Sequence, residues 1–121
     1  MEFDTASPIW MQVATRIKTE MVTRKLPPGA KLPGGRELAL QYTINPNTAA
    51  RVYQELEAEG LCVTRRGLGT FVTENREKLE TIRQSLALEA VDRYLRQLEK
   101  LGLDREDAVR LIQQTRTADR T

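Results

Sequence analysis

Proline and glycine punctuation constrains this chain more than any other feature. Pro27-Pro28-Gly29 and Pro33-Gly34-Gly35 stop regular structure twice in quick succession, and Asn45-Pro46, Gly60, Gly67 and Gly69 follow. Every element between the first helix and residue 72 must therefore be short. From Thr70 to Leu101 the chain has neither residue, so a helical pattern can run unbroken until Gly102. The expected architecture is a cluster of short elements followed by a long helix.

Ser7-Pro8 reads as the N-cap and first position of a helix with an apolar stripe of Trp10, Val13, Ile17, Met21 and Val22, ending near Arg24-Lys25. Ala30-Lys31-Leu32 suits a short edge strand. A second helix, from Arg36 to Tyr42, turns Leu38, Ala39 and Tyr42 inward and has Gly34 or Gly35 as its cap. Arg36 lies in its first turn, where a cation opposes the helix dipole. Contact with a phosphate or a base edge would explain that placement.

The next helix has the clearest start. Asn45 is a good N-cap, and Pro46 is pre-set for the first helical position. Ala49, Val52, Tyr53 and Leu56 recur at helical spacing and form the inner face. Asn47, Ala50, Arg51 and Gln54 form the outer one. An ordinary amphipathic helix would show the same stripe, but the neighbouring elements favour a DNA reader. Two short helices joined by Thr43-Ile44-Asn45 make a helix-turn-helix. Only the N-terminal half of the second can enter a groove, because Glu55, Glu57 and Glu59 crowd the other half. Leu61–Arg65 and Thr70–Thr73 then read as a hairpin whose tip carries Arg65, Arg66 and Gly67, a basic wing suited to a DNA backbone or minor groove.

After Thr73-Glu74-Asn75, read as a linker, a helix is expected from Arg76 to Leu101. Its stripe is Leu79, Ile82, Leu86, Ala90, Tyr94, Leu98 and Leu101, joined by Val91 and Leu95. Asp104 caps a last helix with Val109, Leu111 and Ile112 inward, and residues 117–121 are polar and expected to fray. Two helices cannot close a core of their own. The stripe needs a partner, and a second copy of the chain is the best candidate.

The chain excludes several function classes. It has one Cys and no His, which removes internal disulfides, most zinc sites, and Ser-His-Asp or Cys-His catalysis. Cys62, between Leu61 and Val63, reads as a small buried strand residue. No paired carboxylates stand out as catalytic, and no cofactor or metal is expected. The net charge of +2 is too small to indicate nucleic acid by itself. Residues 1–75 hold nine basic and eight acidic residues, and residues 76–121 hold ten and nine. Any DNA footprint must come from local placement. No apolar run approaches the roughly 20 residues of a membrane span. The acidic N-terminus lacks a signal-peptide core, so a cytoplasmic location is expected.

Pro8-Ile9-Trp10-x-Gln12, Pro28-Gly29-x-x-Leu32-Pro33, Arg36-Glu37-Leu38-Ala39, Glu55-Leu56-Glu57-Ala58-Glu59-Gly60-Leu61 and Arg66-Gly67-x-Gly69-Thr70-Phe71-Val72 together resemble the GntR family of bacterial transcription regulators. The run from Asn45 to Leu56 and the short helical tail resemble its YtrA-like subfamily. The resemblance implies a mainly α fold with a small β-hairpin: a winged helix-turn-helix domain at residues 1–75 and a two-helix dimerisation tail at 76–121. It implies a dimeric repressor acting by promoter occlusion on an inverted-repeat operator in double-stranded DNA. The usual setting of YtrA-like members implies a transporter operon as the target.

Arg36 matches the family arginine, and Arg65, Arg66 and Gly67 match its wing. Gly34 stands where the family has Ser, and Pro46 and Ala50 stand where much of it has arginines flanking the turn into the reading helix. Asn45, Asn47, Thr48 and Arg51 are the DNA-binding candidates chosen from the helix itself. A tail this small does not easily enclose a metabolite pocket of roughly 300 Å3 or more, and no small-molecule effector is indicated. A winged-helix protein–protein interaction module and a transcription activator remain alternatives.

Overall fold

The computed structural model describes Phe3 and residues 5–115. The elements run α1 (Ile9–Val22), α2 (Gly35–Tyr42), α3 (Pro46–Ala58), β1 (Cys62–Arg65), β2 (Gly69–Val72), α4 (Arg76–Glu99) and α5 (Arg105–Gln114). They divide into two compact units, Met1–Gln84 and Ser85–Thr121.

The first unit packs α1, α2 and α3 around one core. Val13, Ile17 and Met21 come from α1, Leu38 and Tyr42 from α2, and Val52 and Leu56 from α3; Leu61 and Val72 close it from the hairpin. Each of these aliphatic side chains, fully removed from water, contributes about 1.5–3 kcal/mol. The inward positions expected for α2 and α3 are the buried ones, apart from Tyr53, which is half-buried.

The ends of α1 differ from expectation. Pro8, not Ser7, occupies the N-cap and no side chain caps the helix. At the other end α1 stops at Val22, and Arg24 has a φ of 67°. Both cations of Arg24-Lys25 therefore lie beyond the last helical turn.

β1 and β2 pair antiparallel, with Cys62 opposite Val72 and Arg65 opposite Gly69. Gly67 and Gly69, at φ 78° and 126°, turn the chain between them. The expected edge strand is a single bridge between Lys31 and Phe71. Even so, Leu32 N–H donates to Thr70 O at 2.7 Å and Val72 N–H to Ala30 O at 2.8 Å, so residues 30–32 are tied to β2.

Thr73-Glu74-Asn75 is a hydrogen-bonded corner, not a loose linker. Thr73 is buried, its N–H donates to Leu61 O at 2.9 Å, and Asn75 Oδ1 accepts from Lys78 N–H at 3.1 Å. The compact unit consequently extends past residue 75. Leu79 is buried in its core, Ile82 packs against that core, and Arg83 donates to Val22 O at 3.3 Å.

In the second unit α4 ends at Glu99. Gly102, at φ 78°, then lets Leu103 N–H reach back to Leu98 O at 3.0 Å. Asp104 and Asp107 form a reciprocal capping box, each carboxylate accepting the other's N–H at 2.9 Å. The N–H of Asp104 and the adjacent Arg110 guanidinium hold the Asp107 carboxyl below its ordinary pKa. Tyr94 O–H donates to Ala108 O at 3.0 Å, and Leu98 and Ala108 are buried. Val109 and Ile112, expected to face inward, are more than half exposed. Residues 117–121 lie outside the described residues.

Candidate nucleic-acid interface

The turn between α2 and α3 sets the geometry of the site. Thr43 adopts a left-handed conformation at φ 54°. This lets Ile44 N–H return to Ala39 O at 2.9 Å and closes α2 as a glycine normally would. A β-branched residue there costs about 1–2 kcal/mol. Asn45 then starts α3 as expected: its Oδ1 accepts from Asn47 N–H at 2.7 Å. Asn45 is thus committed to the cap through its oxygen.

With Ala49, Val52 and Leu56 fully buried, α3 turns Asn47, Ala50, Arg51 and Gln54 to solvent, while Thr48 is half-buried. None of the four is acidic. Each acid in the C-terminal half is engaged within the chain. Glu55 pairs with Arg51 at 3.3 Å, Glu57 accepts from Thr64 Oγ1, and Glu59 pairs with Lys18 at 2.9 Å. The N-terminal half of α3 is therefore the half suited to a polyanion.

Arg51 is less free than its sequence position suggests. Its guanidinium lies over the Trp10 ring, 4.4 Å from the centroid, while its Nε reaches Glu55. Half of the side chain remains exposed. Trp10 is a residue that sequence reasoning assigned only to packing. A contact across 41 positions leaves no local signal, although an aromatic at the outer end of the α1 stripe was the available hint.

Arg36 is exposed in the first turn of α2 and has no ion-pair partner among the described residues. Gly34 caps α2 without a side-chain hydrogen bond. In the wing, Arg65 lies over the Phe71 ring at 5.5 Å, and Arg66 and Gly67 are exposed at the tip. An open groove runs between the start of α2 and the wing, lined by Lys31, Gly34, Gly35, Glu37, Arg65, Arg66 and Thr70, among others, with Arg36 outside it. The Tyr53 hydroxyl donates to Pro33 O and fixes the segment before α2 against α3. Burial pushes the Tyr53 phenol well above its ordinary pKa, so it stays a neutral donor. Arg36, Asn47 and the wing arginines thus occupy one unit, on elements held by one core.

The model of the family "Bacterial regulatory proteins, gntR family" matches residues 11–72, the span of α1 through β2. The chain belongs to the GntR family. It is 40% identical to the HTH-type transcriptional regulator YhcF of Bacillus subtilis, with 88% of each chain covered. It is 36% identical to the HTH-type transcriptional repressor YtrA of the same organism, over 80% of this chain and 81% of that one. A GntR family regulator from Listeria monocytogenes has the same fold (TM-score 0.82, 32% identity, 94% of this chain and 100% of that chain). The AraR DNA-binding domain, solved in complex with operator ORX1, matches 60% of this chain and 93% of its own (TM-score 0.55, 27% identity). This GntR member is accordingly a winged-helix transcription regulator and a DNA-binding protein, and its relatives are regulators, not enzymes. No helix among its described residues is long and apolar enough to cross a membrane.

The tail residues separate into different environments. Leu79 is spent in the first unit's core and Leu98 inside the second unit, so neither side chain is open to a partner. Ile82, Leu86 and Tyr94 are half-buried, while Ala90 and Leu101 are exposed. Leu88, Val91, Leu101, Val109 and Ile112 are the exposed large apolar side chains of the second unit.

Proposed function

We propose that this GntR regulator is a dimeric repressor that occludes promoters by binding an inverted-repeat operator, one half-site per chain. The supporting observation is the contrast within α3. Its outward N-terminal half is free of acid, whereas in its C-terminal half Glu55 and Glu59 are ion-paired with Arg51 and Lys18 and Glu57 accepts from the Thr64 hydroxyl. In this reading Asn47 reads base edges, Arg51 contributes its remaining donors, and Arg36, Arg65, Arg66 and the Gly67 backbone hold phosphates. Asn45 and Thr48 support the entry of α3.

Dimerisation rests on the second unit. Five exposed aliphatic side chains, four on α4 and α5 and Leu101 in the turn between them, leave a surface that a second copy would bury. The set that carries the interface is Leu88, Val91, Leu101, Val109 and Ile112, with Leu86, Ala90 and Tyr94 beside it. The relative YtrA is a transcriptional repressor, which supports repression here. A transporter operon as the target follows from the YtrA-like resemblance.

Selection of bound duplexes from a random DNA pool at moderate salt tests the proposal. The expected product is a motif with two inverted half-sites. A pool that enriches nothing would remove the reading, and enrichment of a single half-site would remove the dimer.

A further inference from the structure

Leu40 is 81% exposed, more than any other large apolar side chain among the described residues. It lies two positions beyond Leu38, on the opposite side of α2 from the core. Its surroundings are organised. A hollow of about 620 Å3 is walled by Arg36, Ala39, Leu40, Thr43, Ile44 and Pro46. It joins the outer side of α2 to the first residue of α3. Pro46 and Ala50 stand one turn apart on α3, and both are exposed, so they continue the apolar strip along the helix. Asn47 and Gln54 run beside it.

Leu40, Pro46 and Ala50 have no side-chain donor or acceptor, so they cannot distinguish base edges by hydrogen bonding. The apolar feature of a base edge in the major groove is the 5-methyl group of thymine. Arg36 borders the same hollow, and it has no acid partner among the described residues. A cation at the rim of an apolar strip complements a DNA strand, which presents phosphates outside and thymine methyls inside.

We propose that Leu40, Pro46 and Ala50 read thymine methyls in the half-site, so that A·T pairs are selected at the positions this strip covers. The proposal rests on the DNA-binding reading above and adds to it which base is chosen and by which side chains.

The test uses the wild-type protein and duplexes enriched from the random pool. Each thymine is replaced singly by uracil, which removes the methyl and nothing else. At one or more positions in each half-site, affinity should fall about fourfold, the effect expected for burying one methyl-sized group. Leu40→Ser, at an exposed site and checked by its melting curve, should bind thymine and uracil alike at the position nearest residue 40. Equal affinity for every uracil duplex would overturn the inference while leaving DNA binding intact. A drop in self-association of Leu40→Ser by sedimentation would also overturn it, by assigning the strip to a second copy. Failure to enrich any duplex would instead remove the DNA-binding reading on which it stands.

Discussion

Trp10 and Arg51 offer a quantitative test of how α3 is prepared for DNA. The guanidinium sits 4.4 Å from the Trp10 centroid and pairs with Glu55 at 3.3 Å. A cation over an aromatic face at an exposed site contributes about 0.5–1 kcal/mol. An exposed i, i+4 ion pair adds about 0.3–0.5 kcal/mol, and less at high salt. Together they hold a long side chain in one place on the face proposed to meet the groove. Arg51 would then lose less rotamer freedom on binding.

Trp10→Leu keeps apolar bulk against the core and removes the π face. In a double-mutant cycle with Arg51→Met, the coupling in folding stability should be about 0.5–1 kcal/mol, measured by urea denaturation. Operator affinity should fall roughly two- to fivefold in Trp10→Leu, the same energy expressed as a binding ratio. That loss should vanish in the Arg51→Met background. Tighter DNA binding by Trp10→Leu would refute the reasoning, because it would mean that the ring withholds Arg51 from DNA. An unchanged loss in the Arg51→Met background would refute it too, by showing that Trp10 acts only through packing.

Three further outcomes follow from the same geometry. Asn45→Ala removes the Oδ1 acceptor from Asn47 N–H and should lower stability by about 1 kcal/mol in thermal melts, with Asn45→Gly costing less. Leu88→Asp, at an exposed site, should give a folded monomer by sedimentation, whereas Leu98→Asp should also reduce helix content because Leu98 is buried within its own chain. Burial pushes the Cys62 thiol up to about 12, aided by the nearby Glu57 carboxylate. At pH 8 the folded protein should therefore resist a thiol reagent that labels the urea-unfolded chain at once. Because the folded value lies above the unfolded one, this group's contribution to stability is complete below the unfolded pKa and declines as pH rises toward 12.

Much of the DNA-binding unit was legible because its signals are local. Asn45-Pro46 marks a helix start by the chemistry of two adjacent residues, and Gly67 and Gly69 mark a hairpin by their freedom at positive φ. The buried positions of α2 and α3 follow from period alone. What escaped depends on the third dimension. The end of α1 moved because Arg24 takes a left-handed conformation that its type does not announce. The segment at Thr73-Glu74-Asn75 read as a linker because its polarity shows, whereas its hydrogen bonds to Leu61 O and Lys78 N–H do not.

Periodicity along α4 correctly marked Leu79 and Leu98 as apolar-face residues. A stripe, however, does not state whether it meets its own chain or another. Leu79 meets the first core, and Leu98 is buried in the second unit. For the candidate site, Arg36 and the wing arginines were readable from unfavourable or exposed placement. The Trp10 contact with Arg51 and the hollow beside Leu40 required positions far apart in the chain to be brought together. Leu40 did carry one local sign, since it is out of phase with Leu38, Ala39 and Tyr42.

The proposal of paired half-site reading is tested most directly by stoichiometry. Sedimentation equilibrium of the chain with a labelled duplex carrying one enriched site should give two chains per duplex. Inverting or deleting one half-site should then weaken binding by at least tenfold. A complex of one chain per duplex, with the same affinity for the whole site and for one half, would contradict the account.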